Sequence, residues 1–301
     1  MKLLVIGAGP AGLSAAIYAS RAGIETLVLG CQPKVAGNYD IDNYFGFAET
    51  ISGQELIERG LAQAKRFGSD IHCERVLSVA QQANGGFLAK TESREISVQA
   101  VIIATGVSRA RPSIENLRDY EGRGVSYCVS CDGFFFRNKE TIVIGEGNFA
   151  ANQALELLQY TPLVAICTQG NRPTMNEDFQ RRLGDAKIDV IDGRITRLLG
   201  DGFLTKARFA DGSERTVWGL FVAMGEASSA DFANALGLER NGEFIQVDHH
   251  QKTNVPGVFA AGDCTGGFLQ IAVAVGEGAK AGNSAIKYIR ELRKRSRTLD
   301  G

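Results

Sequence analysis

The apolar run Leu3-Leu4-Val5-Ile6 breaks at Gly7-Ala8-Gly9-Pro10-Ala11-Gly12, and no other feature limits the fold of this chain so sharply. Beyond the glycines, Leu13, Ala16, Ile17 and Ser20 are spaced for one face of a helix, which Gly23 can end. Residues 24–29 read as a second strand. Strand, Gly-x-Gly-x-x-Gly, helix, strand is the order of a dinucleotide-binding βαβ unit. Gly7 permits the tight turn, Gly9 lets backbone approach a pyrophosphate, and Gly12 lets helix pack on strand. The phosphates are then expected against the helix amino terminus, beside Pro10 and Ala11, where unpaired N–H groups and the dipole favour negative charge. An acidic residue that binds a ribose hydroxyl is expected roughly 20 residues on. Leu29-Gly30-Cys31 stands there instead, so the ribose must be held another way.

A second copy starts at Gly145. A strand over 141–144 leads into Gly145-Glu146-Gly147-Asn148-Phe149-Ala150, then a helical run through Ala154, Leu155 and Leu158, then a strand over 163–167. Alanine in the third glycine position is a known variant. Farther on, Gly257–Asp263 reads as a strand ending in Gly262-Asp263, whose carboxylate can accept a sugar or ribityl hydroxyl; a helix over 270–289 follows. The expected fold class is α/β: two Rossmann-like, three-layer dinucleotide-binding domains, the second inserted in the first. The first occupies 1–111 and 244–301, the insertion 112–243. The Gly200-Asp201-Gly202 and Asp211-Gly212 turns suit a small hairpin inside the insertion.

Between the two fingerprints lies Cys128-Val-Ser-Cys131-Asp132. A CxxC pair can close a reactive small-loop disulfide, and a cysteine at a helix start attacks more readily because its thiol pKa is lowered. Taken alone, the motif is open between a redox pair, half a zinc site and chance. No second CxxC follows and the only histidines are His72, His249 and His250, so a tetrahedral zinc shell lacks ligands at matching spacing. No metal is expected.

Lys plus Arg (33) nearly cancels Asp plus Glu (34), which argues against nucleic acid or a membrane surface as partner. The opening apolar run is too short for a signal peptide or a spanning helix. Six cysteines in 301 residues do not make a disulfide scaffold. The expectation is therefore a cytoplasmic protein with one working pair, Cys31, Cys73, Cys167 and Cys264 being inert. Phe134-Phe135-Phe136 reads as core, His249 and His250 as surface. The basic tail 290–297 reads as a solvated helix end that complements the dipole, or as a dock for an acidic electron donor.

In these residues and their order, the chain closely resembles the low-molecular-weight thioredoxin reductases. The resemblance rests on GAGPAG at 7–12, IIATG at 102–106, CVSCDGFFF at 128–136, GEGNFA at 145–150 and PGVFAAGD at 256–263. It implies FAD in the first domain, held by Gly7, Gly9, Pro10, Ala11, Gly12, Asn43, Val76, Ala104, Thr105, Gly106, Gly262, Asp263, Gln270, Ile271 and Ala272. It implies a second nucleotide site at Gly145, Gly147, Asn148 and Phe149. By the same resemblance Cys131 faces the flavin, Cys128 attacks a thioredoxin-like protein disulfide, and Asp132 handles their protons; the bland reading of Asp132 is a helix cap. A homodimer is implied as well.

The departures from the family pattern concern the electron donor. Members that use NADPH carry a His-Arg-Arg run and a later Arg to bind the 2′-phosphate. Here Thr168-Gln169-Gly170 and Thr174 stand in those places, and Arg172 is off register. A 2′-phosphate needs charge-assisted partners. The loop before the flavin is altered too, to Val35-Ala36-Gly37-Asn38-Tyr39. The chain thus resembles the pyridine-nucleotide-independent members, in which ferredoxin is the donor or a second FAD occupies the nicotinamide-type site. An NAD(P)H-linked reductase and a non-enzymatic redox-sensing flavoprotein are the alternatives.

Overall fold

The computed structural model describes residues 1–37, 40–83, 85–107 and 111–299. They form two compact units, one of residues 1–108 with 228–301, the other of residues 109–227.

In the first unit five parallel strands lie in the order Val258–Ala260, Ala100–Ile103, Lys2–Ile6, Glu25–Leu29, Asp70–His72. A parallel sheet is covered on both faces, which is why its central strands carry apolar runs, whereas the edge strand Asp70–His72 is mostly polar and exposed. Leu3, Leu4, Val5, Val28, Ile102 and Ile103 are all fully buried. Helix Pro10–Arg21 packs on helix Ile271–Leu299. Their close approach is written in small residues: a Cβ on Gly278 would lie 2.1 Å from Ala11 O, and one on Gly282 2.7 Å from Ala15 O. The unit also holds helix Gly53–Arg66 and an antiparallel sheet of Val76–Gln81, Phe87–Thr91 and Glu95–Val98.

The second unit repeats the plan. Its parallel strands run Val125–Ser126, Gly219–Val222, Thr141–Ile144, Val164–Cys167, Asp189–Ile191, with helices Asn148–Leu157 and Glu177–Asp185. The expected hairpin is a three-stranded antiparallel sheet, Ile195–Leu199, Lys206–Phe209 and Glu214–Thr216, turning at the two Gly-Asp segments.

Two expectations need correction. The chain rejoins the first unit at residue 228, ahead of the expected 244. The reason is helix Ser229–Leu236, started by a Ser228–Asp231 capping box, which packs against strand Val76–Gln81. The last helix spans Ile271–Leu299, a longer run than 270–289, and leaves Gln270 just before it. Its basic tail is partly spoken for, since Arg290 donates to Ala22 O at 3.3 Å and Arg293 to Met1 O at 3.4 Å. Of the altered loop, Lys34–Ala36 is a 3₁₀ turn, while Asn38 and Tyr39 lie outside the described residues. Among the described residues no helix is long and apolar enough to cross a membrane.

Candidate functional site

The first cradle is shaped by where a side chain would not fit. A Cβ on Gly12 would lie 1.9 Å from Gly7 O, and one on Gly7, at φ 111°, 2.3 Å from Ala104 O. The protein itself occupies those spaces. At Gly9 the nearest atom to such a Cβ is Pro33 Cβ at 3.7 Å, so that side of the turn is left to a ligand. Gly9 caps helix Pro10–Arg21 without any side-chain hydrogen bond, leaving the first N–H groups for an anion. On the neighbouring strand end, after Ala104, the buried hydroxyl of Thr105 has no partner. An orphaned buried hydroxyl beside an open glycine turn fits a bound dinucleotide, and FAD in particular as the family's cofactor.

Other expected cofactor residues converge on the same unit. Asn43 Nδ2 donates to Gln270 Oε1 at 3.0 Å, although the two are far apart in sequence. Gly262, at φ 82°, leads into the turn Asp263–Thr265, and Ile271 and Ala272 open the long helix. Gly106 has φ 67°. Val76 is buried at the start of its strand. Glu277 escaped the sequence reading: its Oε2 accepts from Gly262 N at 2.8 Å and from Thr265 Oγ1 at 3.1 Å, holding the turn that carries Asp263. An acidic residue two turns into an otherwise small and apolar helix face was the available signal.

Cys31 and Cys73 are joined as a disulfide, which corrects the reading of both as inert. Their strands are neighbours, with Leu29 in register with His72, so tertiary pairing brings together cysteines 42 residues apart. Cys167 and Cys264 are free and buried. Burial pushes the Cys264 thiol up to about 12 and raises Cys167 as well. Buried thiols held neutral in this way are poor nucleophiles.

In the second unit Cys128 and Cys131 form the CxxC disulfide. Cys128 caps the short helix Val129–Asp132, its Sγ accepting from Cys131 N at 3.2 Å. That N–H stabilises a thiolate at Cys128. Cys128 is only 7 % exposed while Cys131 is the exposed member of the pair. Asp132 is half-buried; it does not cap this helix, and its Oδ2 accepts from Ser126 Oγ at 2.6 Å. Ser126 Oγ also accepts from Cys128 N at 3.1 Å, so one hydroxyl ties the carboxylate to the cysteine backbone. Ser126 carried no sequence signal. The reading of the three phenylalanines as core is corrected in part. Phe136 packs edge-on against Phe221, but Phe134 and Phe135 are 57 % and 66 % exposed on the 3₁₀ turn after the motif, with Arg137 over the Phe134 ring.

The second cradle keeps the glycine geometry. A Cβ on Gly145 would lie 2.2 Å from Ala223 O, and Gly147 caps helix Asn148–Leu157 without a side-chain bond. Phe149 is buried, and Asn148 Oδ1 accepts from Asn176 N at 2.8 Å. Its surroundings are turned inward. Thr168 is fully buried, and Gln169 is spent on one residue's backbone, accepting from Ile195 N at 2.6 Å and donating to Ile195 O at 3.3 Å. Thr174 donates through N and Oγ1 to Glu146 O at 2.7 and 3.3 Å. Glu146 itself, on the glycine turn, has a carboxylate oxygen buried without a partner.

Comparison with known proteins agrees with this geometry. The profile of the pyridine nucleotide-disulphide oxidoreductase family matches residues 1–278. The thioredoxin reductase of Listeria monocytogenes is 35 % identical over 97 % of this chain and 94 % of its own, and that of Bacillus subtilis 32 % over 99 % and 97 %. Among solved structures, the atypical thioredoxin reductase TRi from Desulfovibrio vulgaris Hildenborough is 62 % identical, with a TM-score of 0.95 over 96 % of this chain and 98 % of that one. A ferredoxin-flavin thioredoxin reductase from Clostridium acetobutylicum is 27 % identical, with a TM-score of 0.71 over 96 % and 98 %. On these matches the chain is a flavin-dependent disulfide oxidoreductase enzyme of the pyridine nucleotide-disulphide oxidoreductase family, and within it belongs to the thioredoxin reductases.

Proposed function

We propose that this enzyme reduces a thioredoxin-like protein disulfide with electrons that do not come from NADPH, and that a ferredoxin-type protein is the donor. The observation that carries the reading is the second cradle. Thr168 and Gln169 are neutral, and Gln169 has its amide engaged with Ile195, so nothing cationic from this segment meets a 2′-phosphate. The buried, unpartnered carboxylate oxygen of Glu146 adds a further cost to placing any pyrophosphate on that turn. The same cost weighs against a second FAD, so one flavin per chain is the form inferred. Likeness to the ferredoxin-flavin enzyme supports this class of donor.

When bound, FAD gathers electrons and delivers them as a pair to the CxxC disulfide. The residues of this chain do the rest. Reduction at Cys131 Sγ breaks its bond to Cys128, which leaves as a thiolate held by Cys131 N–H. A stabilised thiolate leaves faster, which is why the helix-cap position suits Cys128. Asp132, oriented by Ser126, supplies and later recovers the proton. Cys128 then attacks the substrate disulfide, and Cys131 resolves the mixed disulfide. Because Cys128 is buried with the pair oxidised, this order requires the motif to open when reduced. The exposed Phe134 and Phe135 offer an apolar face beside the motif for the protein substrate. A homodimer in the cytoplasm completes the proposal.

Anaerobic mixing tests it. Reduced ferredoxin should bleach the flavin and sustain thioredoxin reduction, whereas NADPH at micromolar concentration should not. Rapid stoichiometric bleaching by NADPH would refute it, and a flavin-to-chain ratio near two would restore the second-FAD form.

A further inference from the structure

Cys31 and Cys73 lie just past the carboxyl ends of two adjacent parallel strands, Glu25–Leu29 and Asp70–His72. In an open α/β sheet that edge is where the ligand binds, and residue 31 stands close to the place of the missing ribose-binding acid. The bridge is tied into the cradle at both ends. On one side, Gly30 is so close to the glycine turn that a Cβ there would lie 2.7 Å from Ala8 N, and Pro33 borders the open side of Gly9. On the other, Gly30 N donates to His72 O at 3.2 Å, and Val76, three residues past Cys73, opens the next strand. Glu74 anchors the segment between them, accepting from the hydroxyls of Thr91 and Ser93 and pairing with Arg94 at 3.1 Å.

From this placement, and on the reading that FAD occupies the first unit, we infer that Cys31–Cys73 is a second thiol–disulfide exchange site. Its opening releases the strand ends that border the adenosine half of the flavin. Cys73 is exposed and Cys31 half-buried, so a thiolate can reach this bond, as it cannot reach Cys167 or Cys264. Exposed disulfides are the readily exchanged ones. The reductant is a protein dithiol of the kind that thioredoxin reductases produce. One of its thiolates attacks Cys73 Sγ, breaking the bond to Cys31, which takes a proton. The second thiol of the donor then attacks the mixed disulfide and releases Cys73. One disulfide is broken and one is formed, two electrons pass from the donor, and its two protons end on the cysteines. Accumulated product would thereby act back on cofactor retention.

The test uses FAD-loaded enzyme carrying Cys128→Ser and Cys131→Ser, so that only the second pair responds. Incubation with a reduced thioredoxin, followed by maleimide labelling and peptide mapping, should mark Cys31 and Cys73 together, and neither before incubation. Free FAD fluorescence after dilution should appear about tenfold faster from the reduced than from the oxidised protein, the size of one lost ordering contact. Adding Cys31→Ser and Cys73→Ser should make release fast and indifferent to thioredoxin. Labelling of both cysteines before reduction, or equal release rates in the two states, would overturn the inference. These readouts involve neither NADPH nor turnover, so the donor proposal stands or falls separately. Protein that takes up no FAD would instead sink the cofactor reading, while the labelling still decides whether the pair exists.

Discussion

Ser126 Oγ donates to Asp132 Oδ2 at 2.6 Å and so sets the carboxylate beside the redox disulfide. Ser126 lies at the end of strand Val125–Ser126 and Asp132 at the end of helix Val129–Asp132, so the bond spans the whole CxxC turn. In the role proposed for Asp132, a proton handler held this way is oriented before any substrate arrives.

Asp132→Asn should therefore lower the rate of thioredoxin reduction by about 100-fold or more, the usual worth of a positioned acid–base group. Ser126→Ala keeps the carboxylate and loses its orientation, so a smaller loss of roughly tenfold is expected, about the worth of one hydrogen bond to a charged group. Turnover measured across pH separates the cases. Identical profiles for wild type and Asp132→Asn would exclude a proton-transfer role.

The two cysteines should part in trapping experiments. Cys131→Ser should accumulate a mixed disulfide with thioredoxin through Cys128, and Cys128→Ser should not. Exposure favours Cys131, and thiolate stabilisation favours Cys128. Mass spectrometry of the trapped peptide shows which prevails, and trapping through Cys131 alone would reverse the assigned order.

The cradle predicts a contrast between two glycines. Gly12→Ala drives a Cβ to 1.9 Å from Gly7 O and should disturb the fold as well as flavin uptake. Gly9→Ala meets no protein atom within 3.7 Å, and Gly9 has an ordinary φ of −81°. That variant should fold normally yet bind FAD at least tenfold more weakly, because the methyl stands where backbone must approach pyrophosphate. Thermal unfolding of the apoproteins and FAD titration read the two effects apart. Unchanged affinity in Gly9→Ala would place the ligand elsewhere.

Cys264 supplies a pH dependence. Burial raises its thiol from 9.0 to about 12, so the neutral form belongs to the folded state. A raised pKa contributes stability that is complete below the unfolded value and is lost as pH climbs through the folded one. The stability advantage of wild type over Cys264→Ala should therefore shrink between pH 9 and about 12 and hold steady between pH 6 and 8. Iodoacetamide at pH 8 should leave Cys264 unmodified in the native protein; ready alkylation there would contradict its burial.

Local spacing decided much of this protein by itself. The runs before Gly7 and Gly145, Leu3–Ile6 and Ile142–Ile144, are strands because consecutive apolar residues suit a sheet covered on both faces. The glycines after them have one workable turn, since a Cβ at Gly7 or Gly145 would strike the carbonyl of the neighbouring strand end. The CxxC pair was likewise readable from neighbours in the chain, whereas the neutral Thr168 and Gln169 stand out only against the family's pattern. What depends on distant pairing was not. Cys31 meets Cys73 only because strand Glu25–Leu29 takes Asp70–His72 as its sheet neighbour. Asn43 meets Gln270, and Glu277 meets Gly262, only once the last helix lies against the first. Sequence periodicity also could not show that the 3₁₀ turn after the redox motif leaves Phe134 and Phe135 in solvent and buries one side of Phe136. Local patterns register what a residue does to its own backbone. Which residue it finally touches is set by how sheets and helices assemble, and that contact is made across the fold.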